Sequence, residues 1–365
     1  AVPTNTAIDA ANTSISNILG FAVSGTKPLS IADAANASAF ASPGLQYGFL
    51  SAAISGWTAY ASIRAGTPTH STHNSIAFAQ LIYADVSADG LLDGSGRDDL
   101  GNISQLSLGV LPLNQTVYRH ALAAHVVQAA NSTFNRSALT EAQVASFAAN
   151  YAGNGDTIWA AVTPFSFNTR GRAVGSFTSP SGGGWIARTT NITGTVVDHV
   201  AIDKTVLRVD TTFIGNAPNP AVPVFTINAS GTGYTDGTHT LSFLILNSIG
   251  INSAASINVG VDNTPPTSTG NYYYTGEYPT YRVNRGTASD ALSGPVSVTV
   301  LASGQTAPVA ANGYWELVYP VPAGTPNNII WPTIRIKDVA GNCSDYYYNQ
   351  AGSGEWLLRA SGTCL

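Results

Sequence analysis

Near residue 155 the spacing of apolar residues changes, and this change limits the folds open to the chain. Before it, apolar residues recur at helical spacing, and after it they alternate at strand spacing. One uniform architecture does not use both periods over such long stretches. The sequence therefore predicts a multidomain chain of 365 residues, with an α-helical bundle first and an all-β part after it.

The first 155 residues predict about five to seven amphipathic helices that pack closely through many small alanine side chains. The clearest stripe lies between Leu45 and Ile63. The helix after Thr140 begins with a capping box, in which Thr140 and Gln143 satisfy each other's backbone donors. The other helices are predicted from Ile8 to Leu19, from Ile31 to Phe40 with an end at Pro43, from Ser75 to Ala84 and from Gln115 to Ala130.

Beyond Asp156, short β-rich runs separated by turn residues at spacings of roughly ten predict β-sandwiches. The tandem prolines Pro265 and Pro266 cannot continue a hydrogen-bonded ladder, so they predict a stiff joint between two sandwiches. The predicted domains are 1–155 (helical), 156–264 (a sandwich with a preceding β segment) and 265–365 (a second sandwich). The segment from Ile158 to Phe177 is expected to be a linker, or a strand donated to a neighbouring molecule.

Several motifs in the β part resemble the bacterial Ig-like modules of surface adhesins. They are YTDGTHTL from Tyr234, NVGVDNTPPT from Asn258, GTASD from Gly286 and KDVAGN from Lys337. The resemblance covers about residues 176 to 350. It implies two Ig-like β-sandwiches and an extracytoplasmic setting, and it implies no particular ligand. Tyrosine clusters and a C-terminal cysteine depart from the family pattern.

The helical half, around Tyr47 to Ser55 and Asp89 to Gly94, is similar to an Ala-rich helical domain of predicted bacterial surface lipoproteins. That similarity implies no activity.

The composition favours an exported protein. Charged residues make up 10% of the chain, against roughly 25% in typical soluble domains. The polar surface must therefore consist mainly of Ser, Thr, Asn and Gly, which suits extracellular β-rich proteins. The net charge of −5 argues against nucleic-acid binding. No apolar stretch approaches the length of a membrane span, and the start at Ala1 is expected to be a mature terminus or the edge of a fragment.

Cys343 and Cys364 are expected to pair in an exported chain. The bridge would close a loop of about 20 residues and stabilise the fold by roughly 3 kcal/mol. Two buried free thiols are the alternative. Cysteine spacings for structural zinc or c-type haem do not occur.

The segment from Asp85 to Asp98 is the best candidate for a cofactor, which would be calcium. Its oxygen donors have the spacing of an EF-hand-like loop, with Gly90 at the sharp turn. The bidentate glutamate is missing, so Asp98 or Asp99 would have to replace it. An ordinary acidic turn is the alternative. The calcium ligands are predicted to be Asp85, Ser87, Asp89, Asp93 and Asp98. His70 and His73 are a weaker pair with no third ligand nearby.

Clustered tyrosines near both ends of the last domain are a candidate binding surface for a glycan or a protein. Aromatic pairing that stabilises a sheet edge is the alternative. The tyrosines are Tyr272, Tyr273, Tyr274, Tyr346, Tyr347 and Tyr348.

No catalytic triad, nucleophile elbow or phosphate-binding loop is recognisable. We therefore expect a non-catalytic surface protein for adhesion or scaffolding, whose partner is a surface protein, a glycan or a copy of itself. A self-assembling subunit of an extracellular filament or surface layer is the first alternative. A hydrolase with Ig-like accessory modules is the second, and it requires a catalytic centre within residues 1 to 155.

Overall fold

The computed structural model divides the chain into two compact units. Unit 1 comprises Ala1–Gly175, Val196–Thr205 and Leu244–Ala254, and unit 2 comprises Ser176–Thr195, Val206–Phe243 and Ala255–Leu365. The structure describes residues 4–38, 42–67, 74–98, 100–153, 172–187, 189–228, 234–273, 281–320, 333–350 and 356–363. His70, His73, Asp99, residues 158–171, Tyr274 and Cys364 lie outside these ranges. No helix within the described ranges is long and apolar enough to cross a membrane.

Unit 1 contains the helices and two small hairpins. The helices are α1 (Asn5–Leu19), α2 (Pro43–Arg64), α3 (Ser75–Asp89), α4 (Gln115–Ala130) and α5 (Glu141–Gly153), with a 3-10 turn at Ala34–Ser38. One hairpin pairs β1 (Ser95–Arg97) with β2 (Ile103–Gln105), and the other pairs β3 (Ser107–Leu108) with β4 (Leu111–Pro112). The predicted bounds of α4 are confirmed. The Thr140–Gln143 capping box is also confirmed, because each side chain accepts the backbone N–H of the other residue.

The predicted helix from Ile31 to Phe40 was wrong, because residues 31–38 form only the 3-10 turn at Ala34–Ser38, and the predicted end of α3 was also wrong. Pro43 begins α2 instead of ending the preceding helix, because its missing N–H costs nothing in a first turn that Ser42 caps. Helix α3 continues to Asp89, since Gly90 (φ +86°) provides the left-handed residue that ends it.

The core of unit 1 includes side chains from far along the sequence. Ile249 and Ile251 are buried among the helical apolar residues, together with Val200. The ring of His125 on α4 also contacts this segment, with its Nε2 2.7 Å from the carbonyl oxygen of Ile249. Residues 196–205 and 244–254 thus group with the helices in unit 1.

Gly250→Ala is expected to destabilise unit 1 more than Gly25→Ala, although both glycines have φ +88°. An alanine at either position bears a left-handed cost of roughly 1–2 kcal/mol. At Gly250 the added Cβ also collides with the Tyr60 ring, whereas at Gly25 nothing lies within 4 Å. The collision adds about 1–3 kcal/mol. Urea unfolding of both variants measures the difference, and equal losses of stability would contradict the predicted collision.

The first part of the β region forms two sheets that pack face to face. Phe177 and Phe225 of the three-stranded sheet contact Phe243 of the five-stranded sheet, with ring centroids 3.9 and 6.0 Å away. The strand orders are β10-β7-β5 and β6-β12-β11-β8-β9. The strands are β5 (Val174–Ser179), β6 (Trp185–Ile186), β7 (Thr189–Val197), β8 (Ile202–Val209), β9 (Thr212–Asn216), β10 (Val224–Asn228), β11 (Gly237–Asn247) and β12 (Asn252–Val261).

The last part forms one eight-stranded sheet that folds over on itself, so that strands distant in the sheet share a core. Val298 and Ile336 on one side pack with Trp315 and Leu317 on the other. The strand order is β16-β15-β18-β19-β20-β13-β14-β17. The strands are β13 (Thr267–Tyr273), β14 (Tyr281–Ser289), β15 (Pro295–Val300), β16 (Thr306–Pro308), β17 (Tyr314–Pro320), β18 (Ile334–Asp338), β19 (Cys343–Gln350) and β20 (Trp356–Thr363).

Candidate metal centre

Three carboxylates from distant parts of the chain meet in unit 2. Asp262 follows β12, Asp290 follows β14, and Asp338 ends β18. One carboxylate oxygen from each residue lies within 4.8 Å of the other two. This is the spacing of ligands around a single metal ion, and hard oxygen donors are those that calcium and magnesium prefer.

Asn342 links two of these aspartates. Its backbone N–H donates to Asp338 Oδ1 (2.7 Å), and its Nδ2 donates to Asp338 Oδ2 (2.9 Å) and to the main-chain oxygen of Asp262 (2.7 Å). The Asp262 carboxylate accepts the backbone N–H groups of Thr264 and Ser293, both at 3.0 Å. The carboxylates are thus positioned by backbone donors, which leave lone pairs available.

Two oxygens of this cluster are buried without a hydrogen-bond partner in the described structure. Asn342 is 0% exposed, and its Oδ1 accepts no hydrogen bond. Asp290 Oδ1 accepts the N–H groups of Leu292 (2.8 Å) and Gly294 (3.1 Å), whereas its Oδ2 has no partner. A buried oxygen without a donor is costly, and a coordinated cation would satisfy it.

The electrostatics of the cluster also favour a cation. Asp262 and Asp338 are both buried, and no lysine, arginine or histidine in the described ranges forms an ion pair with any of the three carboxylates. Burial, and next the negative charge of Asp262, raise the pKa of Asp338 above its usual value. Buried like charges at this spacing need a bound cation or a proton.

The predicted calcium loop has a different structure. Asp85 is buried in α3, and its carboxylate accepts the N–H groups of Asp93 (3.2 Å) and Gly94 (2.9 Å). Asp89 and Asp93 each accept the N–H group two residues further on, and Asp98 accepts those of Leu100 and Asn102. Ser87 Oγ donates to the Ala84 carbonyl. Asp89, Asp93 and Asp98 thus cap turns, and within the described ranges the five predicted ligands do not form a three-ligand group. Calcium at this segment stays a prediction.

Of the six tyrosines in the predicted binding surface, the structure describes the side chains of Tyr346 and Tyr347. Tyr346 belongs to the core at 5% exposure, and its hydroxyl accepts the N–H of Ser268 at 2.8 Å. Tyr347 is exposed, because neighbours on a strand face opposite sides. Tyr272 and Tyr273 lie on β13 and Tyr348 on β19, but their side chains are not described.

The predicted disulfide has a simple test. Ser344, next to Cys343, pairs with Thr363, the residue before Cys364, across β19 and β20. We expect the native chain to be lighter than the reduced chain by two hydrogen atoms. We also expect Cys343→Ser to lose about 3 kcal/mol of stability and therefore to melt at a lower temperature. Intact mass and thermal melting with and without reductant measure both effects. Alkylation of two free thiols in the native protein would contradict the pairing.

No family model and no curated protein matches this chain. Among solved structures, it is similar to fibronectin(III)-like modules of Clostridium thermocellum CbhA, at 18% identity and TM-score 0.33, over 47% of this chain and 88% of that one. A tetra-tandem repeat from a large adhesion protein matches at 16% identity and TM-score 0.20, over 52% and 62% of the two chains. Carbohydrate-binding modules of the β-sandwich superfamily match at 11% identity and TM-score 0.21, over 53% and 96%. Likenesses at these TM-scores assign no function to the chain.

Proposed function

We propose that this chain is an exported, non-catalytic surface protein for adhesion or scaffolding, and that calcium bound by Asp262, Asp290 and Asp338 stiffens its β region. The observation that carries the proposal is the meeting of three backbone-anchored carboxylates beside two buried oxygens without partners. Two Ig-like sandwiches, as the sequence motifs imply, are part of the proposal.

The position of the cluster explains how a cation would act. Asp262 belongs to the segment that connects β12 to β13, whereas Asp290 and Asp338 belong to the folded-over sheet that follows. A calcium ion bound to all three would cross-link the connection to that sheet. Together with Pro265 and Pro266, which already stiffen the connection, the ion would limit bending between the two β parts.

A calcium site of this kind suits an extracellular protein. Extracellular calcium modules bind with dissociation constants of about 10⁻⁴–10⁻³ M, so they fill only where calcium is abundant. The low content of charged residues and the predicted disulfide point to the same setting.

Small-angle X-ray scattering of the full chain tests the calcium proposal. We expect the scattering to require a narrower range of conformations in millimolar calcium than in excess chelator, and Asp338→Asn should resemble the chelated protein in both buffers. Identical scattering with and without calcium would overturn the stiffening role. Immunogold labelling of intact source cells tests export, because label confined to the cytoplasm would overturn it.

Exposed apolar residues at sheet margins favour a second candidate, a self-assembling subunit. Phe213 on β9 and Val224 on β10 are exposed, and both strands lie at the ends of their sheets. Unpaired margins of this kind accept strands from neighbouring molecules. The last four residues of the predicted donor segment, Val174 to Phe177, instead lie in β5 of the chain's own sheet. Light scattering and electron microscopy distinguish the candidates, since regular polymers would favour the subunit and a monodisperse monomer the adhesin.

A further inference from the structure

Unit 1 contains an open cavity of about 770 Å³, which lies within the range of small-molecule sites. It belongs entirely to unit 1, and its lining combines apolar side chains with a few polar ones. The lining residues used below come from α2 (Trp57, Tyr60 and Arg64), the β3–β4 hairpin, the start of α4, and Asp203 on β8.

The polar wall of the cavity consists of the Arg64–Asp203 ion pair and the Tyr60 hydroxyl, which contacts both charged groups. Arg64 forms a salt bridge with Asp203, and Arg64 Nη1 also donates to Tyr60 Oη at 3.2 Å. Tyr60 Oη in turn lies 3.4 Å from Asp203 Oδ2. The three groups hold one another in place, and they present guanidinium donors beside carboxylate acceptors at the cavity surface.

The apolar part of the cavity lining includes an exposed hairpin tip and a buried indole. Val110 is 57% exposed between Gly109 and Leu111, and Pro112 is exposed beside it. Trp57 also lines the cavity, and its fully buried Nε1 has no hydrogen-bond partner in the described structure. A ligand that offers apolar C–H surface would pack against this hairpin tip, whereas Trp57 Nε1, which no water-sized atom reaches, would stay out of contact with it.

The charges that line the cavity select against an ionic ligand. The start of α4 at Gln115 and Thr116 adds partial positive charge, while Asp93 adds a negative one. Arg64 and Asp203 neutralise each other, so Asp93 remains as the uncompensated carboxylate that disfavours an anion, while a cation at Asp203 would have to compete with Arg64. A neutral ligand whose hydroxyls both donate and accept meets neither penalty.

We infer that this cavity binds a neutral saccharide, with hydroxyl groups on the Arg64–Asp203 pair and C–H surface on the apolar lining. The cavity is a different site from the carboxylate cluster, and sugar binding there does not depend on calcium. The proposed role of the cavity is binding without catalysis. His125, whose burial strongly perturbs its titration, is not among the residues that line the cavity.

The test is saturation-transfer NMR on the full chain, followed by calorimetric titration of each sugar that gives a signal. The neutral probes are glucose, galactose, mannose, N-acetylglucosamine, cellobiose and lactose, and the charged probes are sialic acid and inorganic phosphate. Each titration is repeated in calcium and in chelator. Binding that persists in chelator separates this site from the proposed calcium function, so the two can fail independently.

Two variants change the cavity without removing core residues. Arg64→Ala deletes the donor wall, and Val110→Trp fills the mouth from an exposed position. We expect each variant to weaken sugar binding at least tenfold with an unchanged melting temperature. The matched control is Arg335→Ala, which breaks a similar exposed ion pair with Asp345 in unit 2 and should leave affinity unchanged.

Four results would overturn the inference. They are the absence of saturation transfer to every neutral probe, unchanged affinity in both cavity variants, binding of the charged probes alone, and cleavage of cellobiose or lactose by the wild-type chain. Cleavage would show that the cavity is an active site and would revive the hydrolase alternative.

Discussion

Replacing Asp338 by Asn is expected to destabilise the chain in calcium but not in chelator. In calcium at about 100 times its dissociation constant, the wild-type chain gains about 2.7 kcal/mol from binding. That gain corresponds to roughly 5–10 °C in the melting temperature of a unit this size. The variant loses most of it, because one charged ligand is gone. In chelator the variant should be at least as stable as wild type, because the repulsion that it removes between buried carboxylates outweighs the weakened hydrogen bond from Asn342.

Differential scanning calorimetry of the full chain measures this difference. The matched control is Asp236→Asn, because Asp236 accepts hydrogen bonds from Asn263 and Thr264 in the same connection but is not part of the cluster. We expect the control to lose similar stability in both buffers. An equal calcium-induced rise in wild type and in Asp338→Asn would show that Asp338 is not a ligand.

The second large effect is the loss of stability of unit 1 in mild acid. His125 is fully buried, stacked on Trp57 and bonded to the Ile249 carbonyl. Its burial, with a smaller contribution from the charge of His120, lowers its pKa from 6.5 to about 4. Between pH 6.5 and 4 the unfolded chain therefore binds a proton that the folded chain excludes. Stability is fully present above pH 6.5 and falls by about 3 kcal/mol as the pH approaches 4.

Asp198 adds a smaller effect at lower pH. Burial alone would raise its pKa, but the hydrogen bond and charge of His120 lower it below the usual value. Its stabilising contribution is present above pH 3.8 and is lost as the pH falls below that value. The effect of Asp198 therefore lies below the pH range in which His125 acts.

Hydrogen-exchange protection of α4 and residues 244–254 measures the acid effect, after correction for intrinsic exchange rates. His125→Gln retains a donor for the Ile249 carbonyl and does not titrate, so its protection should change little between pH 7 and 5. The control is His239→Gln, which removes a partly buried histidine paired with Asp210 in unit 2. If protection falls with pH as steeply in His125→Gln as in wild type, His125 is not the source of the acid effect.

Elements with a complete local signal were predictable from the sequence. The range of α4 and the capping box of α5 follow from residues within a few positions of each other. Helix α3 was predicted too short because Asp85-to-Gly90 resembled an acidic turn, whereas Asp89 and Gly90 form its end. The inclusion of Ile249 and Ile251 in the helical core depends on contacts more than a hundred residues apart, which periodicity does not reveal.

The carboxylate cluster was missed for a related reason. Asp262, Asp290 and Asp338 all stand within motifs that the sequence identifies, but each motif contains only one of them. A calcium loop such as an EF-hand is recognisable because its ligands are spaced along one segment. Here the ligands come from three turns, and only the strand topology brings them together. The tyrosine alternation was predictable, but which face of β19 is buried was not.

The insertion of Ile249 into the helical core sets an order in time. The His125 to Ile249 contact spans 124 positions of sequence. At about 5–20 residues per second, the ribosome completes that interval in roughly 6 to 25 s. During this delay His125 on α4 lacks its partner, the Ile249 carbonyl. The N-terminal half therefore leaves the ribosome with an incomplete core. Such a delay would suit the export that we propose, because translocation through a membrane requires a polypeptide that has not yet folded.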